Sequence, residues 1–315
     1  LKIEPVTSLP GYDGVRLPIS RSIMPTAITW THDGKPAFTS LKGHVYIAHD
    51  TNGDGVEDKL TVFEEGLASP YGIIADGKDL IVAHKPELLR LRDTNGDGRA
   101  DKFTVFAEGF NMPTSMAFAR GGVILAHAPD FYFLKDTDGD DRADTREVLF
   151  TGWGVGDTHA GPSNLRYGFD NWIYGTVGYA RFNGTIGGEK HNFGMGVFRF
   201  RSDGSDIEFL HQFNNNTWGM GFNAAGDVFG STANNNPTFF GGIPATVYSG
   251  DKKMSAKMIA DSRYFHPITP NIRQVDAFNA YTAGCGHAFA TSAGFPKKYR
   301  NGTAFVCGPT GNLLG

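Results

Sequence analysis

The chain of 315 residues carries 29 basic and 33 acidic side chains, a formal net charge of −4, 42 glycines, 13% aromatics and two cysteines. No basic cluster marks a nucleic-acid surface, and no apolar run approaches the ~20 residues of a membrane helix. Each apolar run is stopped within about eight residues by Gly, Pro, Asn or Asp, which is the pattern of an all-β protein.

Residues 1–10 resemble the fourth-strand segment 59–70 but have no blade of their own, so this N-terminal strand is expected to close the last blade of a ring. Asp50-Thr-Asn-Gly-Asp-Gly-Val-Glu-Asp58 then returns as Asp93-Thr-Asn-Gly-Asp-Gly-Arg-Ala-Asp101 and as Asp136-Thr-Asp-Gly-Asp-Asp-Arg-Ala-Asp144, each 43 residues after the last. The repeat extends beyond these loops. Ile81-Val-Ala-His-Lys-Pro86 returns as Ile124-Leu-Ala-His-Ala-Pro129, and Leu60-Thr-Val-Phe-Glu-Glu-Gly66 as Phe103-Thr-Val-Phe-Ala-Glu-Gly109.

In the second copy the apolar runs predict strands over 71–75, 79–84, 88–92 and 102–107. Four short strands in about 43 residues make a propeller blade, and the lack of a 3.6-residue period excludes helical solenoids. Further blades over 161–213 and 217–278 and an incomplete sixth from Gly284 predict an all-β, six-bladed β-propeller with four-stranded blades. The whole of 1–315 reads as one domain of a longer parent protein, since the chain starts at Leu1 without Met and stops within the sixth blade.

The acidic loops alternate oxygen-bearing side chains in the way a hard cation needs. Calcium takes about six to eight oxygens, and loop positions 1, 3, 5 and 9 with the carbonyl of position 7 can wrap one ion. That assigns Asp50, Asn52, Asp54, the Val56 carbonyl and Asp58 in the first loop, and Asp93, Asn95, Asp97, the Arg99 carbonyl and Asp101 in the second. The third offers Asp136, Asp138, Asp140, the Arg142 carbonyl and Asp144, with Asp141 where the others have Gly. Loops of this kind suit the millimolar calcium outside cells, so the expected location is periplasmic or extracellular.

The turns at the other strand ends should present His84, Lys85, His127, Asp130, Asp157, His159, Tyr179, Arg181, Asn215, Asn216 and Asn234–Asn236, a polar ring suited to a small molecule. His44 and His49 read as hydrogen-bonded strand-end residues. Cys285 and Cys307 fall on the first two strands of the sixth blade, about a hairpin centred near Pro296, and are expected to form a disulfide.

Asp157-Thr-His-Ala-Gly-Pro-Ser-Asn-Leu-Arg-Tyr-Gly-Phe-Asp-Asn-Trp-Ile-Tyr-Gly-Thr-Val-Gly178 resembles the soluble quinoprotein glucose dehydrogenases and their sorbosone-dehydrogenase-like relatives. In that family a His takes the hydroxyl proton as hydride passes to pyrroloquinoline quinone (PQQ), which implies this role for His159. The family's orienting carboxylate falls near Tyr179, so either Asp157 substitutes for it or the orienting group is lost. Asn216-Thr-Trp-Gly-Met-Gly-Phe-Asn-Ala-Ala-Gly-Asp-Val-Phe229 is similar to the family's cofactor segment. It implies a cofactor contact from Asn216, with Asn215 standing where the family has an Arg; Asn234 and Asn235 of the polar ring are assigned to the cofactor beside them. The family's PQQ-binding lysine falls near Thr310, and its arginines fall beyond Gly315.

Nearly the whole chain is similar to the membrane-bound dehydrogenase N-terminal propellers. It shares their acidic repeats, the Asp-Asn-Trp-Ile-Tyr-Gly run at 170–175, and an ending seen as Tyr299-Arg300, Ala304-Phe-Val-Cys-Gly-Pro309 and Gly311-Asn312. Many of those proteins append a cytochrome c domain, which implies a cytochrome c electron acceptor, although the chain itself lacks Cys-x-x-Cys-His.

The resulting expectation is a PQQ-dependent-type dehydrogenase of a sugar or alcohol with calcium in its acidic loops. One alternative is a metal-dependent enzyme or metal-binding propeller using His84, His127 and His159. Another is a non-catalytic, calcium-stiffened propeller that binds carbohydrate or protein through Trp172, Trp218 and Tyr179.

Overall fold

The computed structural model describes residues 4–6, 8, 10–11, 13–17, 19–20, 22–213, 215–243, 247, 261–262, 265–268, 281–308 and 313–315. Thr310, Gly311 and Asn312, singled out by sequence, lie outside the described residues. The first element is a two-stranded sheet of β1 (Glu4–Val6) and β2 (Gly14–Arg16), with Pro5 opposite Val15. The expectation that the N-terminal strand closes the last blade is therefore corrected: β1 pairs with β2. A partner ten residues away costs far less loop-closure entropy than one at the other end of the chain.

Four-stranded antiparallel sheets follow in chain order. The first is β3 (Pro25–Trp30), β4 (Pro36–Ser40), β5 (His44–His49) and β6 (Lys59–Glu64). The second is β7 (Gly72–Asp76), β8 (Asp79–His84), β9 (Glu87–Arg92) and β10 (Lys102–Ala107), within a residue of the four predicted strands. The third is β11 (Ser115–Ala119), β12 (Gly122–His127), β13 (Asp130–Lys135) and β14 (Thr145–Thr151).

The fourth sheet contains an insertion. Between β15 (Ser163–Tyr167) with β16 (Ile173–Val177) and β19 (Gly196–Phe200) with β20 (Ile207–Gln212) stands a separate hairpin, β17 (Phe182–Ile186) and β18 (Glu189–Phe193). The fifth sheet is β21 (Thr217–Phe222), β22 (Val228–Thr232), β23 (Thr238–Phe240) and β24 (Asp261–Ser262). The last is β25 (Cys285–Phe289), β26 (Ala304–Gly308) and β27 (Leu313–Leu314).

The protein is thus all-β in a propeller arrangement, with five four-stranded blades where six were expected. Among the described residues the sixth sheet has three strands, because the segment assigned to complete it pairs elsewhere.

The chain divides into two compact units, one of Leu1–Val6, Gly14–Pro113 and Leu134–Arg146, the other of Thr7–Asp13, Thr114–Phe133 and Glu147–Gly315. In the first, Ala37, Val45, Ile47, Phe63, Ile73, Leu80, Val82, Leu89 and Leu91 form one apolar cluster. The repeat shows in its hydrogen bonds as well as its strands: Ala100 N–H donates to Phe63 O at 2.9 Å, and Ala143 N–H to Phe106 O at 2.8 Å. In the second unit Trp153 is the hub, 4.7 Å from the Phe182 and Phe198 rings and 5.1 Å from Phe131.

A polar network lies beside the first core. Asp79, buried at the head of β8, accepts Arg90 Nη1 at 2.6 Å, Arg92 Nε at 2.8 Å and Arg92 Nη2 at 2.6 Å. Asp141 of the third acidic loop stands 3.4 Å from both guanidinium groups and 3.9 Å from Lys102 Nζ. The hydrogen bond from Arg92, then that from Arg90, hold the Asp79 carboxyl below the usual carboxylate range against the opposing effect of burial.

Removing one partner from such a buried group leaves the others uncompensated. Asp79→Asn is therefore expected to cost about 3 kcal/mol at pH 7 by chemical denaturation. With its folded pKa depressed, Asp79 contributes stability above the ordinary carboxylate range, and that contribution drains as pH falls through the folded value. The gap between wild type and variant should therefore narrow in acid. A gap that is flat with pH, or absent, would discard this network as a stabilising element.

Candidate functional site

Three acidic loops belong to the first unit. Their carboxylates shape the backbone through a shared set of bonds. Asp50 accepts Gly53 N–H at 2.7 Å and Gly55 N–H at 2.8 Å, Asp93 accepts Gly96 and Gly98 at 2.6 and 2.8 Å, and Asp136 accepts Gly139 and Asp141 at 2.7 and 2.8 Å. Position 5 accepts the amide of position 7 in each loop, as Asp54 does from Val56 at 2.9 Å, Asp97 from Arg99 at 2.9 Å and Asp140 from Arg142 at 2.8 Å. The closing carboxylates Asp58, Asp101 and Asp144 each accept the hydroxyl of the position-2 threonine at 2.8 Å.

Backbone donors keep several of these acids ionised. The amides of Gly55, Thr94, Gly139 and Thr137, in turn, are the main cause that lowers the pKa of Asp50, Asp101, Asp136 and Asp144.

The loops differ at position 3. Asn52 and Asn95 each turn Nδ2 onto the neighbouring aspartate, Asp54 or Asp97, at 3.1 Å. Asp138 has no amide to donate, and oxygens of Asp136, Asp138 and Asp144 gather within 4.8 Å of one another. Among the described residues this is the one group of three or more metal-type donors so close together. The Asp141 that breaks the glycine rule sits at φ 69° and spends its side chain on Arg90, Arg92 and Lys102.

The second unit carries a cluster of amides at its blade connections. Asn215 Nδ2 donates to Tyr179 Oη at 3.0 Å, and Asn215 Oδ1 accepts Asn234 N–H at 3.1 Å and Asn234 Nδ2 at 3.3 Å. Asn234 Oδ1 in turn accepts Thr282 Oγ1 at 2.6 Å. Asn216 is 8% exposed and accepts Ala233 N–H on its carbonyl at 2.7 Å. Among the described residues its Oδ1 has no hydrogen-bond partner, and it lies where a Cβ on Gly178 would be, so glycine leaves room there. Asn235 is exposed at φ 76°, and Arg181 is exposed at φ 63°.

His159 reaches this cluster through its neighbour. Ala160 O accepts Gly178 N–H at 3.0 Å and Ala180 N–H at 3.2 Å, the two amides flanking Tyr179. The His159 amide donates to Asp157 Oδ1 at 3.0 Å. Its imidazole is 91% exposed with Nδ1 3.8 Å from the same oxygen. The ring is open to solvent. Side chains at Gly152 or Gly154 would collide with the carbonyls of Asn183 or Ala180, so these glycines serve close packing against the start of the β17 hairpin.

The other histidines singled out from the sequence lie at strand ends. His84 is buried, with Nδ1 accepting Ala68 N–H at 3.3 Å and Nε2 3.5 Å from Glu87. The His127 ring lies 5.8 Å from Tyr132. His49 Nε2 pairs with Thr61 Oγ1 at 2.7 Å, and His44 stacks on Tyr46 at 5.4 Å. Trp172 is core, with the guanidinium groups of Arg199 and Arg201 stacked over it at 4.6 and 4.0 Å. Sequence reasoning missed Thr282, which carries no motif, and the β17–β18 hairpin, which the Gly187-Gly188 pair between two alternating runs signals.

No curated protein matches the chain. Among solved structures it is similar to virginiamycin B lyase from Staphylococcus aureus, with 12% identity, a TM-score of 0.54 and coverage of 100% of this chain and 87% of that one. It is likewise similar to a family AA12 carbohydrate-active enzyme of Trichoderma reesei, with 10% identity, a TM-score of 0.55 and coverage of 98% and 96%. At such identity these likenesses are of fold alone. The family described as "Domain of unknown function (DUF7133)" matches residues 26–102 and 88–315, and the chain belongs to that family.

Proposed function

We propose that the protein is an oxidoreductase that dehydrogenates a sugar or another alcohol, with His159 as the base and Asp157 as the carboxylate beside it. The observation that carries this reading is the setting of His159, an open imidazole 3.8 Å from a carboxylate oxygen. The next residue, Ala160, fixes the Tyr179 loop of the amide cluster. Histidine is the side chain suited to accepting a proton near neutral pH. With Nδ1 toward Asp157, Nε2 is the atom free to take the hydroxyl proton, while the hydride leaves the carbinol carbon for an external two-electron acceptor.

The donors of Tyr179, Asn215, Asn234 and Thr282 are neutral and suit a ligand rich in hydroxyls. PQQ carries three carboxylates. Among the described residues of this cluster Arg181 is the cation, and that set does not fit three negative charges, so no step is assigned to PQQ.

We also propose that the acidic loops hold calcium through the fifteen positions from Asp50 to Asp144 that the spacing assigns. The support is the convergence of Asp136, Asp138 and Asp144, carboxylates that repel one another unless a cation lies between them. A periplasmic or extracellular location belongs to the same reading.

Two measurements follow. With an artificial electron acceptor, turnover of aldoses or alcohols should fall at least ~100-fold in His159→Ala, while its melting temperature stays at the wild-type value because the side chain is exposed. Full activity in that variant ends the assignment, and unfolding would make the residue structural. Calcium bound only by the folded loops must raise stability by mass action. The wild type should therefore melt higher in millimolar calcium than in chelator, and Asp138→Ala should shrink the difference. Equal melting in both buffers eliminates the calcium reading.

A further inference from the structure

Two thiols face each other in the last sheet of the second unit. Cys285 on β25 stands directly opposite Cys307 on β26 in the antiparallel register. The pairing is the one expected from sequence. The expected disulfide is corrected, because both cysteines are free thiols, Cys285 partly covered and Cys307 exposed. Opposed residues in an antiparallel pair hold their Cβ atoms about 4.5–5.5 Å apart, a short closure from the spacing of a disulfide. The register also slips between Cys285 and Ala288, so the strand has slack at the cysteine.

The two sulfurs are unequal. Hydrogen bonding from Cys285 lowers the Cys307 thiol to about 7, while the same bond and burial push Cys285 up. Cys307 is the sulfur an incoming disulfide can reach, while Cys285 is partly covered behind it, which is how an attacking thiol differs from the partner that resolves it.

We propose that Cys285 and Cys307 form a redox-active dithiol that exchanges with low-molecular-weight disulfides, Cys307 attacking and Cys285 resolving. The proposal is independent of the dehydrogenase reading. The Cys307 thiolate attacks one sulfur of the disulfide RSSR, whose S–S bond breaks, giving a mixed disulfide and RS−. Cys285 then loses its proton and attacks Cys307 Sγ, which forms the Cys285–Cys307 bond and expels the second RS−. Two electrons pass from the protein to RSSR, and the two thiol protons end on two molecules of RSH.

The bond would act next to the amide cluster. β25 leaves the segment where Thr282 holds Asn234 and where Gly284 N–H donates to Ala233 O at 2.8 Å. Cys307 also pairs with Leu314 of β27, so closure ties the middle strand of the sheet to its edge.

The test uses the whole chain, reduced and then equilibrated across a series of reduced-to-oxidised glutathione ratios. After acid quench and alkylation, intact mass counts the free thiols. The wild type should pass in one step from two alkylated thiols to none, losing about 2 Da with no glutathione retained, and should return when reduced glutathione is restored. Cys285→Ser should trap glutathione on Cys307, and Cys307→Ser should react ~10-fold or more slowly. Two thiols persisting at every ratio, or a lasting adduct on the wild type, would overturn the proposal. A bond that reduced glutathione cannot reopen would equally overturn it, by making the disulfide structural. Equal rates in the two variants would remove the attacker assignment. The wild-type titration decides the main claim even if a variant does not fold.

Discussion

Every residue of β8, from Asp79 to His84, is buried, and so is every residue of β16, from Ile173 to Val177. A strand with no solvent face must have its sheet covered on both sides, and a four-stranded meander cannot cover itself. That need explains why the apolar runs are continuous where an exposed antiparallel sheet would alternate, and why the same 43-residue unit recurs. Ala100 bonding Phe63 and Ala143 bonding Phe106 show the same constraint in the backbone of the first unit, where the second and third acidic loops each feed an amide into the preceding sheet.

The third loop shows how one neighbour can rewrite a local rule. Asp at position 6 of a tight acidic loop costs strain in the left-handed region, and Asp141 does sit at φ 69°. The cost is offset because the second sheet presents Arg90 and Arg92 to it. One repeat earlier those two positions are Ile47 and His49, and the loop residue facing that repeat is Gly98. Arginine pair and aspartate thus occur together, and hydrophobe, histidine and glycine occur together. The departure from the loop pattern is better explained by contact with the next sheet than by the loop's own conformation.

What was legible in the sequence was whatever repeats or follows a period. The strands of the second copy fell within a residue of prediction because short apolar runs and Gly or Asp turns mark both ends. Ring closure was not legible, since pairing of residues 4–6 depends on which partner is cheaper to reach, and no local pattern reports that. Gly152 and Gly154 look like a free connection, yet they lie against the carbonyls of Asn183 and Ala180 and flank the buried hub Trp153. The opposed cysteines could be placed from hairpin arithmetic, whereas the difference between their two environments required coordinates.

The amide cluster is nearly closed upon itself, and that limits what it can receive. Asn215 donates to Tyr179 and accepts from Asn234, and Asn234 accepts from Thr282. A ligand entering here would exchange one of these bonds for its own, at the solvent-exposed Tyr179–Asn215 end of the chain. A hydroxyl both donates and accepts, so it can slip between Tyr179 and Asn215 and leave each with a partner. A carboxylate could accept from both, but its charge would leave water for neutral donors, which is a poor exchange without a cation close by. The hydroxyl-rich ligand proposed above is compatible with this inventory, because each of its hydroxyls can stand in for a bond that it displaces.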